Sequence, residues 1–120
     1  MVKRKENSVN LENEKALETE CPFIFALSLM GKRWKPAILW KMNEGCYRFG
    51  EFKRKIPQIS EKMLTQHLRE LETDGLITRT IYAEMPPRVE YALTELGASL
   101  EPILKKLNDW GEKAKIAKQQ

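Results

Sequence analysis

Lys62, Thr65, Gln66, Arg69 and Thr73 recur at spacings that gather them on one side of an α-helix. Their side chains are mostly cations and hydrogen-bonding groups, which suits reading the edge of a nucleobase better than acid–base chemistry. Glutamine pairs bidentately with adenine, arginine or lysine pairs with guanine, and threonine touches a thymine methyl or a phosphate. Leu64, Leu68 and Leu71, spaced four and three apart, supply the opposite face and would seat this helix on a core. Glu61, Glu70 and Glu72 fall largely off the polar stripe. A merely solvated face would carry more Glu–Lys pairs at helical spacing. Ser60 stands ahead of the stripe as an N-cap. Lys53, Arg54 and Lys55 precede it with charge suited to phosphate contacts, which fix register without reading sequence. The DNA-contacting set is therefore Lys53, Ser60, Lys62, Thr65, Gln66 and Arg69, joined by two arginines further on. Arg88 follows Pro86-Pro87 and, with Arg79, could reach a phosphate or the minor groove. Arg88 has a second reading, in which it pairs with Glu84 or Glu90.

Little else in the chain has the makings of a reaction centre. His67, the single histidine, falls mid-helix beside Leu68, away in sequence from any cysteine or carboxylate cluster. There is no Cys-x-x-Cys, no Gly-rich phosphate loop and no nucleophile elbow. No catalytic residue, metal site or cofactor is expected, and the chain does not read as an enzyme. Cys21 and Cys46 are too few for a disulfide framework and should be thiols in a reducing compartment. Cys21 directly precedes Pro22, at an N-cap position where the helix end favours a thiolate. Two readings stay open for it: a reactive thiolate that is alkylated or bridges to another subunit, or a cap that only packs. Cys46 could resolve an oxidised Cys21 only if their Cα atoms lie within about 7 Å. Phe23, Phe25, Trp34, Trp40 and Trp110 either line a pocket for a small-molecule effector or belong to the core.

The elements that must hold these residues follow from the punctuation of the chain. Proline favours the first helical position and glycine the position just past the last. Pro22 to Gly31 and Pro36 to Gly45 therefore bracket two short helices, whose scant polar surface places both in the inner core. A third helix runs from about Phe49 to Lys55 and stops before Pro57. After the turn Pro57-Gln58-Ile59, the striped helix runs from Ser60 to Asp74 and ends at Gly75. The period then changes from 3.6 to 2. Ile77 to Tyr82 reads as one strand, and Val89, Tyr91 and Leu93 mark the half-buried face of a second. Pro86 and Pro87 belong in the loop between them, since neither can donate to a ladder. A last helix is expected from Glu95 to about Ala117, kinked at Pro102. The fold class is thus mainly α with a small β-hairpin, a winged helix-turn-helix with a C-terminal dimerisation helix.

In that last segment Leu96, Leu100, Ile103, Leu107, Trp110 and Ala114 recur at spacings of four and three. This is a narrow seam of the kind by which one helix meets another. Leu104 lies beside it, so the helix could serve its own domain and a partner. A homodimer is expected, with its two reading helices on half-sites about one duplex turn apart, or a multiple of that, on a palindromic operator.

Composition agrees with this organisation. The 120 residues are 42% hydrophobic and 32% charged, in the range of a single globular domain. The net charge of +4 is unevenly spread: residues 32–79 carry eleven basic and six acidic side chains. Residues 1–20 form a polar segment with a weak helical pattern, leaving 21–117 as the winged-helix domain, with the wing at 77–93 and the dimerisation helix at 95–117. No apolar run approaches the roughly 20 residues of a bilayer span, and the basic start lacks an apolar stretch for export. A cytoplasmic location without membrane association is expected. A winged helix can also serve as a protein-interaction module without sequence-specific DNA binding, but that predicts apolar or acidic residues on the exposed helix face.

Several stretches together are specific enough to carry a family resemblance. They are Gly31-Lys32-Arg33-Trp34, Arg48-Phe49-Gly50-Glu51-Phe52, Ile56 to Gln66, Leu68 to Leu76, Pro86 to Tyr91 and Trp110-Gly111. On these the chain resembles the HxlR family of transcriptional regulators over about three-quarters of its length. The resemblance implies a dimeric winged helix on double-stranded operator DNA, with Lys62, Thr65, Gln66 and Arg69 in the recognition helix and Arg88 in the wing. It also implies a sensing role for a cysteine at the position of Cys21, toward oxidants or electrophiles. Two positions depart from the family pattern. Cys46 stands where proline is common, and Lys35 stands where a small polar residue is usual, with no functional consequence legible in the sequence.

Overall fold

A computed structural model describes residues 21–31 and 33–119; the weak helix expected within 1–20 lies outside them. Residues up to Gly31 and residues from Lys32 onward form two separate units. The first contains α1 (Pro22–Met30), which begins at its proline as expected. None of its residues is buried, and Phe23, Ile24 and Leu27 are exposed. The expectation that this helix lies in the inner core is therefore corrected. Its apolar residues encircle the helix instead of lining one side, so sequence offered no direction in which to bury them.

The second unit runs α2 (Lys35–Asn43), α3 (Phe49–Lys55), α4 (Glu61–Thr73), β1 (Ile77–Tyr82), β2 (Arg88–Leu93), α5 (Glu95–Ala98) and α6 (Glu101–Gln119). Ile38, Leu39 and Met42 of α2 are buried, as are Phe52 of α3, Leu64, Leu68 and Leu71 of α4, and Leu104 of α6. Helix α2 packs on α3, β2 and α6, which makes it the hub of the unit. Each such side chain contributes roughly 1.5–3 kcal/mol on burial. Phe52 also meets Tyr91 edge-on, with ring centroids 6.3 Å apart.

The junction between α3 and α4 is short and apolar beneath. Ile56 and Ile59 are buried while Pro57 and Gln58 are exposed, so the turn is pinned from below. Ser60 caps α4 by accepting from the Met63 amide at 3.0 Å, an arrangement that contributes about 1 kcal/mol. Helix α4 ends at Thr73 with Asp74 as its C-cap, and Gly75 follows at φ +78°, a left-handed conformation that glycine adopts without strain.

β1 and β2 pair antiparallel, from Ile77 opposite Leu93 to Tyr82 opposite Arg88. The inward alternation expected in β2 is muted. Arg88 and Glu90 are drawn partly out of solvent by mutual pairing, and only Ile77 of β1 is buried. A feature unseen in the sequence anchors the hairpin: the Tyr91 amide donates to the Tyr47 carbonyl at 2.8 Å, just ahead of α3. At its other end, Thr94 donates its hydroxyl to the Gly75 carbonyl at 2.6 Å and caps α5 through the Gly97 amide.

The single kinked helix expected over 95–117 is also corrected, because the segment is two helices broken at Ser99 and Leu100. Pro102 does not kink the second helix but lies in its first turn, where a missing N–H costs no internal bond. Leu104 points inward at 4% exposure, whereas Ile103, Leu107 and Trp110 are more than half exposed. Leu96, on α5, is equally open and Leu100 is half-buried. Among the described residues, no helix is long and apolar enough to cross a membrane.

Candidate nucleic-acid interface

Helix α4 is amphipathic in the way its sequence requires. Leu64, Leu68 and Leu71 are each at most 1% exposed. On the other side Lys62, Gln66, Arg69 and Thr73 are exposed, with Thr65 half-buried. Lys62, Thr65, Gln66 and Arg69 line a shallow concavity of about 610 Å³, closed on its flank by Phe49 of α3. Glu61 and Glu70 border the same concavity, so the acidic residues stand nearer the stripe than their spacing suggested.

The remaining sequence-derived residues occupy more committed positions. Ser60 caps α4, which engages its side-chain oxygen. Lys53 donates its ammonium to the Ile59 carbonyl, tying α3 to the turn. Arg79 of β1 approaches Glu72 of α4 at 3.8 Å. Arg88 pairs with Glu90 at 2.9 Å and Glu84 at 3.0 Å, and its guanidinium lies 4.0 Å from the Tyr82 ring centroid. Of the two readings for Arg88, this conformation has the carboxylate pairing. A second open concavity of about 610 Å³, lined by Arg48, Phe49 and residues 84–89, lies between α3 and the wing. Phe49 borders both hollows, which makes them adjacent.

Arg48 was missed at the sequence level. It is the N-cap residue of α3, reaches Glu90 at 3.5 Å and lies beside the Tyr47 ring. The signal that could have found it is Glu51, three residues on, whose carboxylate accepts from the Tyr47 and Arg48 amides at 3.0 and 2.9 Å. Those backbone bonds, Tyr47 first, hold the Glu51 carboxyl below its ordinary range. They also fix where α3 starts.

Cys21 precedes α1 in extended backbone and is exposed, with no side-chain capping bond. Cys46 is buried, and burial pushes its thiol up, with Glu51 adding to the effect. His67 is buried, with Nδ1 3.3 Å from Glu70 Oε1. No group of three or more metal-ligating side chains occurs among the described residues. A small hollow of about 160 Å³ between α2 and α6 includes Trp40 and Leu107.

The arrangement coincides with known proteins in both sequence and shape. Residues 29–119 match the family model for the HxlR-like helix-turn-helix. The chain is 47% identical over 95 residues to the HTH-type transcriptional regulator YdeP of Bacillus subtilis, spanning 79% of this chain and 74% of that one. It is similar in structure to the redox regulator HypR in its oxidised form, with a TM-score of 0.73 and 47% identity over 78% of this chain and 96% of that one. For the reduced form of HypR the TM-score is 0.77, at 42% identity over 83% and 100% of the two chains.

Proposed function

Since the chain belongs to the HxlR-like family of winged helix-turn-helix regulators, we propose that it acts as a homodimeric repressor. In this reading it occupies a palindromic operator in the cytoplasm and responds to oxidants or electrophiles through Cys21. Members of the family are DNA-binding regulators of transcription, not enzymes. The observation that carries the reading is the exposed stripe on α4, backed by three fully buried leucines and placed directly after a pinned turn. Such a helix enters the major groove and uses its first turns on base edges. Lys62, Thr65, Gln66 and Arg69 are the base readers, with Lys53 and Ser60 at the turn. Arg79 and Arg88 of the wing exchange their carboxylate partners for phosphate.

The dimer rests on the open apolar row Leu96, Ile103, Leu107 and Trp110, with Leu100 at the break between the two helices. Exposed rows of this kind mark interaction surfaces. The redox proposal rests on the accessibility of Cys21 and on the likeness to HypR, a redox regulator. Cys46 is the candidate resolving thiol, although its burial leaves it poorly accessible in the described conformation.

Selection of bound sites from random duplexes tests the base readers. Gln66→Ala or Arg69→Ala should cost roughly 1–3 kcal/mol on the selected operator and relax preference at one base pair per half-site. Lys53→Ala should weaken all sequences alike and lower the salt slope by about one. Unchanged discrimination in both recognition-helix variants would remove α4 from the role assigned to it. Repeating the binding with oxidised protein tests the switch. Cys21→Ser should abolish any change in DNA affinity on oxidation, and an undiminished response would exclude this thiol.

A further inference from the structure

Lys35 opens α2, and it is only 5% exposed. A buried ammonium requires a partner to offset its lost hydration. Its Nζ lies 3.0 Å from Glu70 Oε1, on the recognition helix. The same oxygen meets His67 Nδ1 at 3.3 Å, while Oε2 of Glu70 accepts from Gln66 Nε2 at 3.4 Å. Glu70 thus bridges a buried cation behind α4 and a side chain on its open face. Burial alone would push the Glu70 carboxyl up. Hydrogen bonds from Lys35, His67 and Gln66, with the Lys35 charge, outweigh burial and hold it below its ordinary value. Glu70 is therefore a carboxylate, and a carboxylate only accepts. An amide can face such a neighbour with its nitrogen but not with its oxygen.

We propose that Glu70, anchored by Lys35, is a positioning residue that fixes which way round the Gln66 amide is presented, and thereby which strand its adenine must be on. The inference rests on the DNA-reading role of α4 proposed above. In the major groove adenine offers its N7 acceptor beside its N6 donor, and exchanging A·T for T·A reverses their order across the groove. A glutamine whose oxygen and nitrogen are held in one order matches one of these and not the other. A glutamine free to flip distinguishes them less.

The test begins with the operator selected by the full-length protein, at the base pair whose preference collapses in Gln66→Ala. The readout is the ratio of affinities for duplexes differing only by A·T or T·A there. It should be about fivefold or more in the unaltered protein. In Glu70→Gln and in the double variant Lys35→Met/Glu70→Gln it should fall below about twofold, with Lys35→Met intermediate. The double variant leaves no unpaired buried charge, so it keeps the comparison sound if a single variant folds poorly. In the Gln66→Ala background, Glu70→Gln should change the ratio no further. A purely structural role for Glu70 would weaken all duplexes alike and leave the ratio intact, which would overturn the inference. So would an equal effect of Glu70→Gln with and without Gln66. If the unaltered protein selects no sequence, the DNA-reading role fails and this inference with it. If it selects one but the ratio persists in every variant, only the inference fails.

Discussion

Leu107→Glu combined with Trp110→Glu is expected to leave the chain folded but monomeric, and to weaken operator binding by about 100-fold or more. Both side chains are over half exposed on α6, while Leu104 on the same helix is buried against α2. The substitutions therefore place charge on exposed side chains and keep the buried Leu104, with Leu107 also bordering the small hollow beside Trp40. In a dimer these two residues would each contribute roughly 1.5–3 kcal/mol per protomer, and an unpaired carboxylate in that seam costs more. A monomer also forfeits the second half-site, whose contacts otherwise act as an intramolecular event. Analytical ultracentrifugation reads the first consequence, and titration of a two-half-site duplex reads the second. Persistence of a dimer with both glutamates in place would show that another surface joins the protomers. Leu104→Ala is the contrasting substitution: it should lower stability by about 2–5 kcal/mol without being aimed at the seam.

The second large effect concerns stability. Gly97→Ala should destabilise the protein by about 3 kcal/mol, lowering the melting temperature by on the order of 10 °C or more. Gly97 is buried in α5 where the wing returns to the helical body. An added methyl would overlap the Leu76 carbonyl oxygen and press on the Leu93 side chain at 3.3 Å. That carbonyl already accepts from the Thr94 amide at 3.0 Å, so it cannot swing aside without losing a backbone bond. Gly50 and Gly111 provide the controls, since nothing lies within 4 Å of a methyl at either. Alanine there should be neutral or slightly stabilising, because both glycines sit in helices. Equal thermal stability of Gly97→Ala and the unaltered chain would show that the α5 junction relaxes freely.

The parts of the molecule that were legible in sequence are those where one local rule decides the outcome. Helix α4 has a cap, an acidic first turn, three leucines on one face and a glycine after its end, and its bounds and buried side follow from these. The two strands and the loop between them are similarly constrained, because Pro86 and Pro87 cannot donate to a ladder. The kink expected at Pro102 was wrong for a physical reason. Within a helix it kinks and at the start of one it is neutral, and only the tertiary break at Ser99 and Leu100 decides between them. Lys35 was unreadable because its burial depends on Glu70, thirty-five positions away, and a lysine in isolation predicts solvent. Arg88 was left between two readings, and the described conformation has the pairing with Glu84 and Glu90.

The bond from the Tyr91 amide to the Tyr47 carbonyl has a mechanical consequence. It clamps the second hairpin strand to the residue just before α3, and α3 leads through a pinned turn into α4. The two DNA footprints proposed above, one in the major groove and one beside it, would thus be joined through main chain. Altering residues at the hairpin tip should change how firmly the outer footprint grips, while the interval between footprints along the duplex stays the same. If DNA is held as proposed, spacing within a half-site would follow from backbone geometry and be insulated from drift in the gripping side chains.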